Sequence, residues 1–320
     1  MDLPAETQIR WILRTTAALL EHGAEPVRGL VQPTAEFFPD RFDGSPRAVT
    51  DLMTRVQEHA GLADLSVELA VVAPEGNAKS GGCSSGACGD ALARGAKLER
   101  AARIGAGAYR VAIGEGEARH PVALTTAFVR AASFMFLTEA DAWGALPPPD
   151  REAGVDLAAV LLGFGVLAAN GAYIYAKGCG GVKVQSVTRM PVDEVTLALA
   201  VYCQLHQVPE RVAARHLEVT PRAHFEEASV WASSNAPLVR MLRAAPARIA
   251  ADEYAIGEAR SWLARALGIG KRRGPRSPED DLAELERALP AAAAGARRLD
   301  PSKAGRLAEI RALVDESLEG

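Results

Sequence analysis

The chain has 320 residues, 48% of them hydrophobic and 24% charged, with a net charge of −4 at pH 7. That is enough for one large domain or two small ones with a sizeable core, and it excludes a chain disordered throughout. The acidic balance argues against a dedicated nucleic-acid binder, and aromatics at only 5% favour close-packed, Ala-rich helices over a β-sandwich.

The N-terminal stretch MDLPAETQIRWILRTTAALLEHG is interrupted by Asp2, Glu6, Arg10 and Arg14, so it does not read as a signal peptide. A cytoplasmic protein is expected. Four cysteines in a chain of this length, in a reducing compartment, argue against a disulfide framework.

Ile9, Ile12, Leu13, Leu19 and Leu20 recur at helical spacing, and Gly23 ends that run. The connection VQPTAEFFPDRFDGSP follows. Ser45 is a good N-cap with Pro46 at the first helical position, and Val49, Leu52, Met53 and Val56 give the next helix its apolar face before Gly61 closes it. LSVELAVVA alternates as a strand does. Residues 74–95 are rich in Gly, Ser and Ala and read as a loop. AYRVAIG is a second strand; a strand rather than a helix follows Gly105 and Gly107, so no phosphate-binding turn is expected there.

Pro121 opens the helix PVALTTAFVRAASFMFL. A second buried helix is expected from Asp156 to about Asn170, and a hairpin around Gly178 to Gly181. From Leu157 to Ala176 there is no charge, which is long enough to span a bilayer. The Ala and Gly content, Asn170 within it and the lack of a basic flank favour a buried core helix, with a membrane span as the alternative. Beyond residue 190 everything reads as helical, approximately 191–207, 209–217, 221–234, 237–245 and 252–268. GKRRGPR belongs to a charged linker near 269–281, and 279–319 reads as an amphipathic hairpin. The expected fold is α+β and mostly helical: a small N-terminal sheet, central buried helices and a helical C-terminal half. The division is a main domain over 1–245 and a helical extension over 246–320.

The helix after His120 has the character of a zinc-peptidase active-site helix. His-Glu-x-x-His sets two histidines on one helical face to bind one zinc, and the Glu polarises the attacking water. Three stretches of this chain, LVQPTAEFFPDRFDGSP, DLAAVLLGFGVLAANGAY and VDEVTLALAVYCQLHQVPERVAARHL, resemble a group of uncharacterised bacterial proteins, many with a LAHELAH-like helix between the first two motifs. The resemblance covers roughly residues 30 to 240 and implies a zincin-like core. Aligned by its apolar residues, the helix sets Val129 at the first His, Arg130 at the Glu and Ser133 at the second His. Val cannot ligate zinc and Arg stays protonated, so the resemblance implies a degenerate member without the metal ligands. Only Asp156 could match a third, acidic ligand.

The implied function is that of a non-catalytic metallopeptidase-like protein, binding a protein or peptide in the old cleft, lined by Val129, Arg130, Ser133 and Asp156. No catalytic residue, nucleic acid or membrane is expected to take part. Arg130, in an apolar helix, needs a partner, and Asp156, Glu139 and Asp141 are candidates.

No cofactor is expected on that reading. The alternative is a cysteine-dependent metal-binding or redox protein. Cys83, Cys88 and Cys179 lie in Gly-rich loops that could hold zinc, with His120 or Cys203 as a fourth ligand. Cys203, within an apolar helix, reads as plain core. His22, His59, His206, His216 and His224 read as solvated. A third reading is a helical scaffold that acts through its C-terminal hairpin.

Overall fold

The computed structural model describes residues 3–72, 100–178 and 181–258. Helix α1 (Glu6–Glu21) buries Ile9, Ile12, Leu13 and Leu19 on one face and stops at Gly23, whose φ of +82° leaves the helical region. Helix α2 (Pro46–Ala60) starts where the Ser45 side chain accepts a hydrogen bond from the Ala48 N–H at 3.2 Å, with Pro46 at its first position, and ends at Gly61 in the left-handed region. Its face of Val49, Met53 and Val56 is buried.

Strand β1 (Ser66–Val72) runs parallel to β3 (Ala108–Gly114), and β2 (Ala101–Gly105) pairs antiparallel with β3, giving the order β1-β3-β2. Sequence reading assigns β1 and β3 but not β2. The reason is that β2 is an edge strand with only Ala101 buried, so it carries no alternation to read. A short helix, α3 (Glu115–Ala118), leads into α4 (Pro121–Glu139). The α3 residue Glu117 is fully buried. It accepts two bonds from the Arg100 guanidinium, each 2.8 Å, and one from the Gly114 N–H.

Helix α4 is buried nearly all round, which makes it the central element. Phe128, Val129 and Met135 pack with Tyr109, Val111 and Ile113 of β3 and Val56 of α2, while Leu137 joins the helical core on the other side. Helix α5 (Arg151–Ala159) continues through a π turn (Val160–Phe164) into α6 (Gly165–Gly171). The helix thus starts five residues before Asp156, the start expected from sequence. The irregular turn centres on Gly163, at φ +97°, where the Gly163 carbonyl accepts a hydrogen bond from the Val31 N–H at 2.9 Å. The Pro26–Val31 segment crosses the helix there so closely that a Cβ on Gly163 would stand 2.2 Å from the Gly29 carbonyl oxygen.

Strands β4 (Ile174–Gly178) and β5 (Gly181–Gln185) form the expected antiparallel hairpin. Helices α7 (Val192–Leu205), α8 (Glu210–Ala214), α9 (Val219–Ser234), α10 (Ala236–Ala244) and α11 (Pro246–Ala250) complete the helical core with α1, α5 and α6. Ile249 is fully buried in that core, and the Asn235 side chain holds Gly257 through both its amide groups. Packing against the main body therefore continues past residue 245. Residues 252–258 are not helical, and the linker near 269–281 and the C-terminal hairpin lie outside the described residues.

The fold is the expected one, mostly helical α+β with a small sheet. Helix Pro121–Glu139 and the continuous run Pro148–Gly171 are long and apolar enough to cross a membrane, but both are mostly buried inside the protein, as core helices of soluble proteins are.

Candidate binding site

The residues that resemblance sets in a cleft divide into two pairs. Val129 packs in the core beneath the sheet, and the Ser133 hydroxyl donates to the Val129 carbonyl one turn back, at 2.9 Å. Arg130 and Asp156 meet between α4 and α5. Arg130 Nε donates to Asp156 Oδ1 at 2.6 Å, and Nη2 donates to Glu152 Oε2 at 2.7 Å. The other Asp156 oxygen accepts from the backbone N–H groups of Arg189 and Met190. Arg189 Nε lies 3.6 Å from Glu152, so two cations and two anions balance.

Burial raises the Asp156 pKa above its ordinary value, and Arg130 with the two backbone donors offsets this only in part. With three N–H donors on its two oxygens, the group is built to be a carboxylate. Burial also opposes the Arg130 charge, but Asp156 and Glu152 outweigh it and raise that pKa. Of the three partners considered for Arg130, Asp156 is the one it meets. Glu139 instead accepts from the Tyr109 hydroxyl and faces Arg103, and Glu152 is a partner that sequence reading missed. All four residues, Val129, Arg130, Ser133 and Asp156, are at most 1% exposed. They stand inside the protein and present no surface to a ligand.

His120 is the N-cap of α4, its Nδ1 accepting from the Ala123 N–H at 3.4 Å. Cys83, Cys88 and Cys179 lie outside the described residues. Among the described residues, no three His, Cys, Asp or Glu side chains gather as a metal-holding group. Cys203 is a buried free thiol in α7, which agrees with its reading as core. His59 corrects an expectation: it is buried rather than solvated. Its Nε2 meets the Phe37 carbonyl at 2.8 Å, and the rings of Phe37 and Phe38 stand edge-on to it.

Those two phenylalanines fix the 33–42 loop, and the loop builds an open groove of about 380 Å³. Phe38 and Phe42 from the loop, Leu52 from α2, Val122 from α4 and Leu167 from α6 supply apolar walls. Asp40, Arg41 and Arg55 are the charged lining residues. Arg55 Nε donates to Asp40 at 2.7 Å and its Nη1 to Glu58 at 2.8 Å; the bond from Arg55 holds the Asp40 carboxyl below the usual carboxylate range. This groove was missed from sequence. The available signal was the three phenylalanines, Phe37, Phe38 and Phe42, in a Pro-punctuated connection where turn residues alone would serve.

No protein-family model, curated protein or solved structure matches this chain.

Proposed function

We propose that this chain is a non-catalytic, metallopeptidase-like binding protein that takes an apolar peptide segment into the groove between the 33–42 loop, α2 and the start of α4. The observation that carries the reading is that groove: about 380 Å³, open to solvent and walled by Phe38, Phe42, Leu52, Val122 and Leu167. Ligand sites are concave and mostly apolar, with a few polar groups, and span roughly 300–1,000 Å³. The degenerate-family part of the reading is supported by Arg130 and Asp156. Their ion pair joins the position that the resemblance gives to the Glu with that of the third, acidic ligand, and it fastens two helices, while the two histidine positions hold Val129 and Ser133. The binding function lies in the groove at the start of the same helix. A cytoplasmic location is part of the proposal.

The test is to pan a random-peptide phage library on the full chain, then measure the selected peptides on Leu52→Trp and Val122→Trp, two variants that fill the groove from different elements. Selected peptides that bind wild type and lose binding to both variants support the reading. Peptides that bind all three proteins equally, or no enrichment on wild type, overturn it. Circular dichroism of each variant establishes that it is folded.

A further inference from the structure

The polar groups around the groove are unequal in an informative way. Arg55 and Asp40 neutralise each other, with Glu58 taking a further Arg55 donor. Arg41 is exposed at the groove and, among the described residues, has no ion-pair partner. The Thr34 hydroxyl also belongs to a lining residue; its oxygen is buried and has no hydrogen-bond partner. That oxygen has no surface open to the groove, so it takes no part in recognition there. The second group is at the start of α4. Pro121 has no N–H, the Ala123 N–H is taken by His120, and the Val122 N–H is unpaired among the described residues. Val122 lines the groove at the positive end of a 19-residue helix.

A guanidinium and a helix-start N–H thus border one apolar groove, and each lacks an acceptor. A ligand that complements both carries negative charge and acceptor oxygens next to an apolar body. We infer that the groove recognises a free carboxylate adjoining apolar side chains, specifically the C-terminal end of a peptide, with Arg41 pairing its carboxylate and Phe38, Phe42, Leu52 and Leu167 enclosing its last side chains. This deepens the proposed function and rests on it. A carboxyl terminus fits better than an internal acidic residue because it needs no chain continuing through the groove. At about 380 Å³ the volume is near the small end for ligand sites, which suits two terminal residues better than a longer segment.

The experiment uses the full chain and two probes that share one apolar body, N-acetyl-leucyl-phenylalanine and its C-terminal amide. Affinities are measured by calorimetry on wild type, Arg41→Gln and Leu52→Trp, with the Val122 amide followed by NMR. The expected result is that wild type prefers the acid about tenfold, as one charge-assisted hydrogen-bonded contact gives. That preference falls to about one in Arg41→Gln and weakens with added salt, while Leu52→Trp loses both probes. Equal affinity for acid and amide, with both lost in Leu52→Trp, overturns the carboxylate assignment and leaves the groove reading intact. An acid preference that survives Arg41→Gln overturns the role of Arg41. Binding of neither probe overturns the C-terminal assignment, and the peptide panning then decides the groove by itself. Binding of both probes unchanged in Leu52→Trp overturns the groove reading too.

Discussion

Arg130 Nε and Asp156 Oδ1 lie 2.6 Å apart between two successive long helices, both side chains out of contact with solvent. Removing one member of a buried pair leaves the other charge uncompensated, which costs about 3–5 kcal/mol. Asp156→Ala is expected to cost about that much, because it also strips acceptors from the Arg189 and Met190 N–H groups. Arg130→Met is expected to be destabilising too. The double variant should be more stable than the sum of the singles requires, by about 1 kcal/mol or more. Urea unfolding of the four proteins measures this, and strict additivity would remove the coupling.

Gly163 is irreplaceable for two independent reasons. Its φ of +97° is strained for any residue with a Cβ, and that Cβ would meet the Gly29 carbonyl at 2.2 Å. The conformation alone costs about 1–2 kcal/mol for an L-residue, and the clash with backbone adds to it. Gly163→Ala should therefore lower the unfolding midpoint strongly. Gly144→Ala serves as the control, since nothing lies within 4 Å of its Cβ position and its φ is ordinary. The control should stay within about 0.5 kcal/mol of wild type.

His206 provides a pH dependence. Burial, and then the nearby Arg243 charge, lowers its pKa to about 4. Glu25 pulls the other way from 3.7 Å, but that carboxylate is held by Arg243 at 2.6 Å. The unfolded chain takes up the proton near the ordinary value of about 6.5. Between those two values the unfolded state binds more protons, so stability rises with pH through the window and is lost as pH falls from about 6.5 towards 4. Denaturant titrations at the two ends should show the loss, and His206→Gln should flatten it. An unchanged profile in that variant would assign the dependence to other groups.

The Cys203 thiol is 2% exposed, and burial pushes it up to about 12. A thiol in that state is unreactive at about pH 8, because the thiolate is the nucleophile. In a Cys83→Ser/Cys88→Ser/Cys179→Ser background, a thiol reagent should label no cysteine until guanidinium is added, after which one should react. Rapid labelling of the native protein would contradict the burial of α7 at this point.

Which features were legible from sequence follows from the reach of the interactions that make them. The start of α2 is set by Ser45, Pro46 and the Ala48 N–H, all within four residues, and its end by Gly61. The alternation of β3 and the glycines of the β4–β5 hairpin are equally local. That Arg130 must have a partner was also readable, because an apolar helix cannot bury a lone guanidinium.

The identity of its partners was not readable. Asp156 and Glu152 lie 26 and 22 residues away, and only the packing of two helices selects them over Glu139. The same holds for Gly163, whose conformation answers to Gly29, and for His59, buried by Phe37 and Phe38 of the preceding loop. The groove depends on a longer reach than these, from Pro33 to Asn170. The sequence alone determined the caps of α2, the strand character of β3 and the need to neutralise Arg130, since these depend on backbone bonds and periodicity over a few residues. The tertiary structure decided where the charges meet and where an opening remains, because both depend on how closely separate elements approach.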